Sequence, residues 1–287
     1  MNRAAKILAT GRLRARLELE VLLRNRSLLF SQLQIANVVM LVVLGKVIGD
    51  DPIGSSGQPQ ITLFVAGFVA LAVCQATILQ LPLALATDRE DGTLLRARGI
   101  PDGVATYLVG KIAVVLLTVV VNVVLVLLAA VLVLGAPLPS TVSSWLTLAW
   151  VLVLSTAAAT LLGAAVGAML PGARQGTGWV LFPLMGLMVI SGTVIPFSLM
   201  PTAVQVFASV FPLRWMAQGV RSALYEPSYA AFEVAGSWQH LETAAVLVAW
   251  IVVGALVAPR LIARTTRRET GAKLDERRHE ASRRVGL

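Results

Sequence analysis

Six times between Leu28 and Ile262 the sequence runs apolar for the roughly 20 residues that a helix needs to cross a hydrocarbon core about 30 Å thick. The runs are Leu28 to Gly49, Ile61 to Thr87, Val104 to Leu134, Ser144 to Leu170, Gly178 to Ile195 and Leu241 to Ile262. Lipid offers no hydrogen-bond partners, so a spanning segment must satisfy its backbone internally, and runs of this length predict helices. The chain therefore reads as an all-α integral membrane protein with six transmembrane helices. Composition points the same way: 57% of the residues are hydrophobic and 14% charged, against about 45–50% and 25% in soluble domains. A weaker apolar stretch from Phe197 to Leu213 is cut by Pro196, Pro201 and Pro212, which predicts short re-entrant helices between spans five and six instead of a further crossing.

Basic residues orient the spans, because Lys and Arg in short flanks stay on the cytoplasmic side. The N-terminal segment, the loop after span two with Lys111, Arg174, and the tail from Arg260 to Arg284 would share one face, leaving only Lys46, Arg214 and Arg221 of the 24 Lys+Arg for the other. Both termini are thus expected in the cytoplasm. The formal charge of +9 is absorbed by these flanks near anionic lipid, and no nucleic-acid partner is implied. The polar, Arg-rich start lacks the short n-region and cleavable apolar core of a signal peptide, so span one is expected to remain. The chain divides into a cytoplasmic N-terminus (1–27), a six-span domain (28–262) and a basic cytoplasmic tail (263–287). Within the first part, Gly11 to Ser27 sets Leu13, Leu17 and Val21 on one helical face with charges elsewhere, the pattern of an interfacial helix.

Within the spans, Gln32, Gln34, Asn37, Gln75, Gln80 and Asn122 are groups that lipid penalises, so they should face other helices or line a pathway. Gly163 and Gly167 form a small-xxx-small face, suited to close packing within the chain or to a seam between two copies. The lone Cys74 and the separated His240 and His279 provide no disulfide framework or metal spacing. There is no H-E-x-x-H or G-x-S-x-G pattern, and no paired carboxylate and His at bilayer depth, so enzyme chemistry finds no support. Mid-membrane ionisable residues are almost lacking, which argues against a proton-coupled carrier.

The loop between spans two and three, residues 87–103, carries more mixed charge than orientation requires. Asp88, Glu90 and Asp91 precede a brief Leu/Arg segment bounded by Gly92, Gly99 and Pro101, which predicts a short helix across the membrane face, capped by carboxylates. This loop resembles the coupling segment of ABC type-2 transporter permeases, with Arg89, Glu90, Asp91, Gly92, Thr93 and Leu94 as the matching core. Leu95 stands where that family carries an acidic residue. Ser191-Gly192-Thr193-Val194-Ile195-Pro196 leading to Met200-Pro201, and Phe211-Pro212 with Arg221, resemble the family's turns before the last span.

The resemblance implies a permease subunit that forms a pathway with a second copy or a paralogue, driven by two copies of a cytosolic ABC ATPase. ATP and Mg would sit on that partner. The sequence has no G-x-x-x-x-G-K-[ST] phosphate loop of its own, and no cofactor is expected in this chain. Glu90 and Asp91 would transmit the ATPase motion. Gln34, Asn37, Gln75 and Asn122 are the pathway or helix-contact candidates. In the outer segment 196–226, Gly192, Pro196, Pro201, Phe211 and Pro212 are candidates for an outer gate, alongside plain aromatic anchoring. The expected location is a bacterial inner membrane, multi-pass. Aromatic residues at 6% favour a drug-like or lipid-like cargo over polysaccharide, with a lipid-linked glycan exporter and a non-transport scaffold or sensor as the alternatives.

Overall fold

The computed structural model describes residues 3–48, 61–136, 138–193, 195–225 and 227–285, and no strand occurs among them. The helices are α1 (Arg3–Arg24), α2 (Arg26–Gln32), α3 (Ile35–Ile48), α4 (Ile61–Cys74), α5 (Leu81–Glu90), α6 (Thr93–Arg98), α7 (Gly103–Leu134), α8 (Val142–Met169), α9 (Ala173–Ile190), α10 (Thr202–Val210), α11 (Pro212–Leu224) and α12 (His240–Val285). A π-helical turn, Gln75–Gln80, joins α4 to α5 without interruption, and short 3₁₀ segments at Phe197–Leu199 and Pro227–Phe232 flank the α10–α11 pair.

Four described helical segments are long and apolar enough to cross a membrane: Leu63–Glu90, Gly103–Leu134, Val142–Met169 and His240–Ile262. The other two expected spans are shorter. Leu28 to Gly49 is broken where Gln34 takes a φ of 46°, and α3 with its 14 residues measures only about 21 Å. The break has a partner: the carbonyl of Gln32, freed from the helical ladder, accepts from Asn122 Nδ2 at 2.8 Å. α9 has 18 residues with Pro183 inside, where the missing N–H and the ring disturb the helix near its middle. The expected outer loop at 50–60 lies outside the described residues.

The segment Leu63–Glu90 is the centre of the bundle, with 78% of its most apolar window buried, against 28% for α7 and 17% for α12. Small side chains make this burial possible. Gly163 of α8 packs so closely on Thr77 that a Cβ there would overlap the Thr77 carbonyl, and one on Gly167 would lie 2.9 Å from Pro82 Cα. The small-residue face of α8 is therefore spent within the chain. The π turn sits at the same level: its wider winding, with Leu81 N–H bonding Ala76 O, precedes Pro82, whose ring cannot follow a regular α-turn.

The outward surface is apolar. On α7, Ile112, Leu116, Val120, Val124, Leu128 and Leu132 form an unbroken exposed stripe at four-residue spacing, an arrangement stable against lipid and unfavourable against water. α1 follows the same rule. It lies along the first turns of α7, with Thr10 Oγ1 3.1 Å from Thr106 Oγ1 and the Arg14 guanidinium 4.6 Å over the Tyr107 ring. Its polar face meets the bundle, while Leu13, Leu17 and Val21 remain about 60% exposed. The expected amphipathic helix exists, beginning earlier than Gly11, and it is anchored through its polar face.

Gly163→Ala should cost about 2 kcal/mol, because overpacking a filled contact costs about 1–3 kcal/mol. Gly186→Ala, where a Cβ meets nothing within 4 Å, should leave stability unchanged or slightly raised. Thermal unfolding in detergent micelles compares the two, and equal melting would remove the α8 contact from its central place.

Candidate functional site

The corner between α5 and α7 is held by three attachments. Asp88 Oδ2 accepts from Tyr107 Oη at 2.5 Å and pairs with Lys111 Nζ at 2.8 Å. Arg89 reaches the end of α8: Nη2 donates to Leu170 O at 2.7 Å and Nη1 to Ala168 O at 3.3 Å. Those carbonyls lack intrahelical donors, so a guanidinium is a natural cap. Glu90 is exposed, and its carboxylate lies against Gly172 at the start of α9, where a Cβ would come 2.5 Å from Oε1; negative charge is favoured at that helix end.

Beyond these anchors the chain turns outward. Asp91 closes α5 with its N–H on Thr87 O at 2.9 Å, and its side chain is exposed. Gly92 has a φ of 70°, a left-handed conformation that glycine adopts without strain, and space around it is open to 4 Å. Thr93 Oγ1 accepts from Arg96 Nη2 at 3.1 Å. Leu94 turns back and is buried; the Leu95 side chain lies outside the described residues. The six expected coupling residues thus separate. Arg89 and Leu94 bind the corner to the bundle, Glu90 borders α9, and Asp91, Gly92 and Thr93 form the tip. Ile100, 62% exposed just after α6, completes an outward surface that includes Arg96.

A cluster at the inner side of this corner escaped sequence reasoning. Lys111 Nζ also meets Glu18 Oε2 at 3.2 Å, and Arg14 Nε meets Glu18 Oε1 at 3.2 Å. Only the alternation of charges on Gly11 to Ser27 hinted at it, since its members come from α1, α5 and α7.

The polar residues of the spans serve helix contacts. Gln34 Nε2 donates to Ala72 O at 3.2 Å and Asn37 Nδ2 to Phe68 O at 3.3 Å, tying α3 to α4. Asn122 joins α7 to the break before α3 and also donates to Thr118 O at 2.9 Å. Gln75 is half-buried at the start of the π turn.

The outer candidates converge on α11, which is buried almost along its length despite Arg214, Gln218 and Arg221 on one stripe. Arg221 forms a two-pronged pair with Glu233, at 2.7 Å and 3.2 Å, and donates to Gly192 O at 3.2 Å. The Arg214 guanidinium lies 4.4 Å over the Phe197 ring and 4.1 Å over the Trp215 ring. Burial pushes its pKa down to about 10, opposed by Glu233, so it stays charged at neutral pH. Pro196 precedes the 3₁₀ turn at Phe197, Pro201 and Pro212 open α10 and α11, and Phe211 meets Phe207 and Trp250 with ring centroids 5.2 and 6.5 Å apart. Glu233, Gln218 and Gln239, which complete the polar lining, carried no motif.

An apolar exterior, inward polar groups and four spanning helices define a multi-pass membrane protein. The chain belongs to the ABC-2 type transporter family, whose sequence model matches residues 15–225. Membership makes it a membrane component of an ABC transporter and implies an ABC ATPase partner. No curated protein matches the chain.

Arg221→Met should destabilise by about 3 kcal/mol, the cost of stranding a buried partner charge. Arg221→Met with Glu233→Leu should recover most of that loss. Melting temperatures of the two variants decide it, and a double variant no better than the single one would refute a buried ion pair.

Proposed function

We propose that this chain is the permease subunit of an ATP-driven exporter, forming the pathway for a hydrophobic or amphiphilic, drug-like or lipid-like cargo. The observation that carries this reading is the corner at Asp91 and Gly92. Its base is tied to the ends of α7, α8 and α9, while its tip is exposed and open. A knob with that mounting passes a push from a docked ATPase to three helices at once, and rocking of the bundle between inward and outward openings follows. Arg89, Glu90 and Leu94 hold the knob, and Asp91, Gly92 and Thr93 present it. ATP and Mg bind to the partner, two copies of which serve a pair of permease chains, either two copies of this one or this one with a paralogue.

The same reading takes α2–α3 together as span one and α9 as span five, giving six crossings with both termini in the cytoplasm of a bacterial inner membrane. The N-terminal segment (1–27), with its amphipathic helix, and the basic tail (263–287) then lie at the cytoplasmic face. The outer segment 196–226 contributes the gate, with the Arg221–Glu233 pair fastening α11 beside Gly192. The scarcity of ionisable residues within the apolar spans supports an amphiphilic cargo over a sugar or an ion.

Asp91→Arg should lower recovery of the ATPase with the tagged chain by about tenfold, equivalent to about 1.4 kcal/mol, without changing its melting temperature. Undiminished recovery would exclude the corner as the docking knob. Topology has its own test, since the single native cysteine, Cys74, is buried. Ser55→Cys should react with an impermeant maleimide in intact cells, and Ser282→Cys only after permeabilisation; the reverse pattern inverts the chain.

A further inference from the structure

A cavity of about 580 Å³ lies between α1, α5 and α7, within the size range of small-molecule sites. Its two ends differ in chemistry. Arg14, Glu18, Asp88 and Lys111 line one end, linked by the 2.8 and 3.2 Å ion pairs described above and mostly buried. The remainder is predominantly apolar, walled by Ala76, Leu81 and Ala84 on one side and by Val114 and Val115 on the other, with Gln32, Gln80, Thr87 and Thr118 set among them. Leu17 and Val21 also border the space, and both belong to the exposed apolar stripe of α1. The cavity therefore opens beside a surface that faces lipid.

We infer that this cavity binds one phospholipid of the surrounding bilayer, with a zwitterionic, ammonium-bearing headgroup at the Arg14–Glu18–Asp88–Lys111 end and an acyl chain along Ala84 and Val115. Two cations and two carboxylates sum to zero, so a headgroup of net charge would leave an unbalanced ion in a poorly hydrated site. A headgroup carrying both signs meets both: its ammonium joins Glu18 and Asp88, and its phosphate joins Arg14 and Lys111 by charge-assisted hydrogen bonds. The apolar remainder suits hydrocarbon, and the opening beside Leu17 and Val21 admits it sideways from the membrane. Neither ATP nor an ATPase enters this argument, so the site stands apart from the docking corner. The lipid would nonetheless brace α1 against the base of that corner, because Asp88 belongs to both.

The test is native mass spectrometry of the delipidated full chain, titrated with phosphatidylethanolamine or phosphatidylglycerol of matched acyl chains. One phosphatidylethanolamine per chain should bind about tenfold more tightly than phosphatidylglycerol. Glu18→Gln with Asp88→Asn should erase that preference. Ala84→Trp, which fills the apolar part and leaves all four charged residues in place, should remove the tight binding altogether. Equal binding of the two lipids, a preference for the anionic one, or binding undisturbed by Ala84→Trp would each overturn the inference. Release of the lipid in step with ATP hydrolysis by the assembled transporter would also overturn it, by making the occupant cargo instead of a resident lipid. ATPase recovery is read separately, so failure here leaves the docking experiment intact.

Discussion

At Gly163 the backbone of α8 comes so near the Thr77 carbonyl that no side chain fits between them, and the other helices take their places around that contact. Lipid tails are as apolar as leucine, so nothing like the hydrophobic effect presses these helices together; close packing and internal polar contacts must do it. The pair formed by α8 and the segment from α4 to α5 supplies the packing. The π turn and Pro82 lie at the same contact, so the wider winding of the central helix and the small residues of its neighbour belong to one arrangement. A single methyl group at Gly163 would disturb both.

Polar groups complete what packing begins. Asn122 serves the carbonyl released at the α2–α3 break, and Gln34 and Asn37 reach carbonyls of α4, so the shortened α3 is held by side chains at the place where its own ladder stops. Arg89 does the same for the end of α8. Charges held away from water are matched: Arg221 pairs with Glu233, Lys111 pairs with Asp88 and Glu18, and Arg214 lies over the Phe197 and Trp215 rings and donates to Gln239. Removing one member leaves a costly orphan, which is why these groups form closed sets.

These attachments tie the corner after α5 firmly to the bundle. The tip at Asp91 and Gly92 touches little, yet the residues beside it reach α7, α8 and the start of α9. Under the proposed docking role, a push at the tip would reach those helices through Asp88, Arg89 and Glu90. At the opposite end, the fixing of α11 by Arg221 and Glu233 joins two segments distant in the chain, and the prolines that open α10 and α11 set where the backbone bends.

Length and apolarity alone were enough to identify a helical membrane protein, because a spanning segment needs only a sufficient apolar run with its backbone bonds closed inside it. Local patterns likewise marked the charged corner, the proline-broken segment before the last long helix and the amphipathic N-terminal helix. The sequence could not tell that Leu28 to Gly49 is interrupted at Gln34, since the Gln32 carbonyl beside the break is met by Asn122, 90 positions away. Nor could it divide Arg89 and Leu94 from Asp91, because all lie within a few residues and only the surroundings decide which turn inward. The Asp88–Lys111–Glu18 cluster and the Arg221–Glu233 pair likewise needed the folded chain. Hydropathy is a property of consecutive residues and survives reading in one dimension, whereas which charge meets which carbonyl depends on helices whose sequence separation says nothing of their distance.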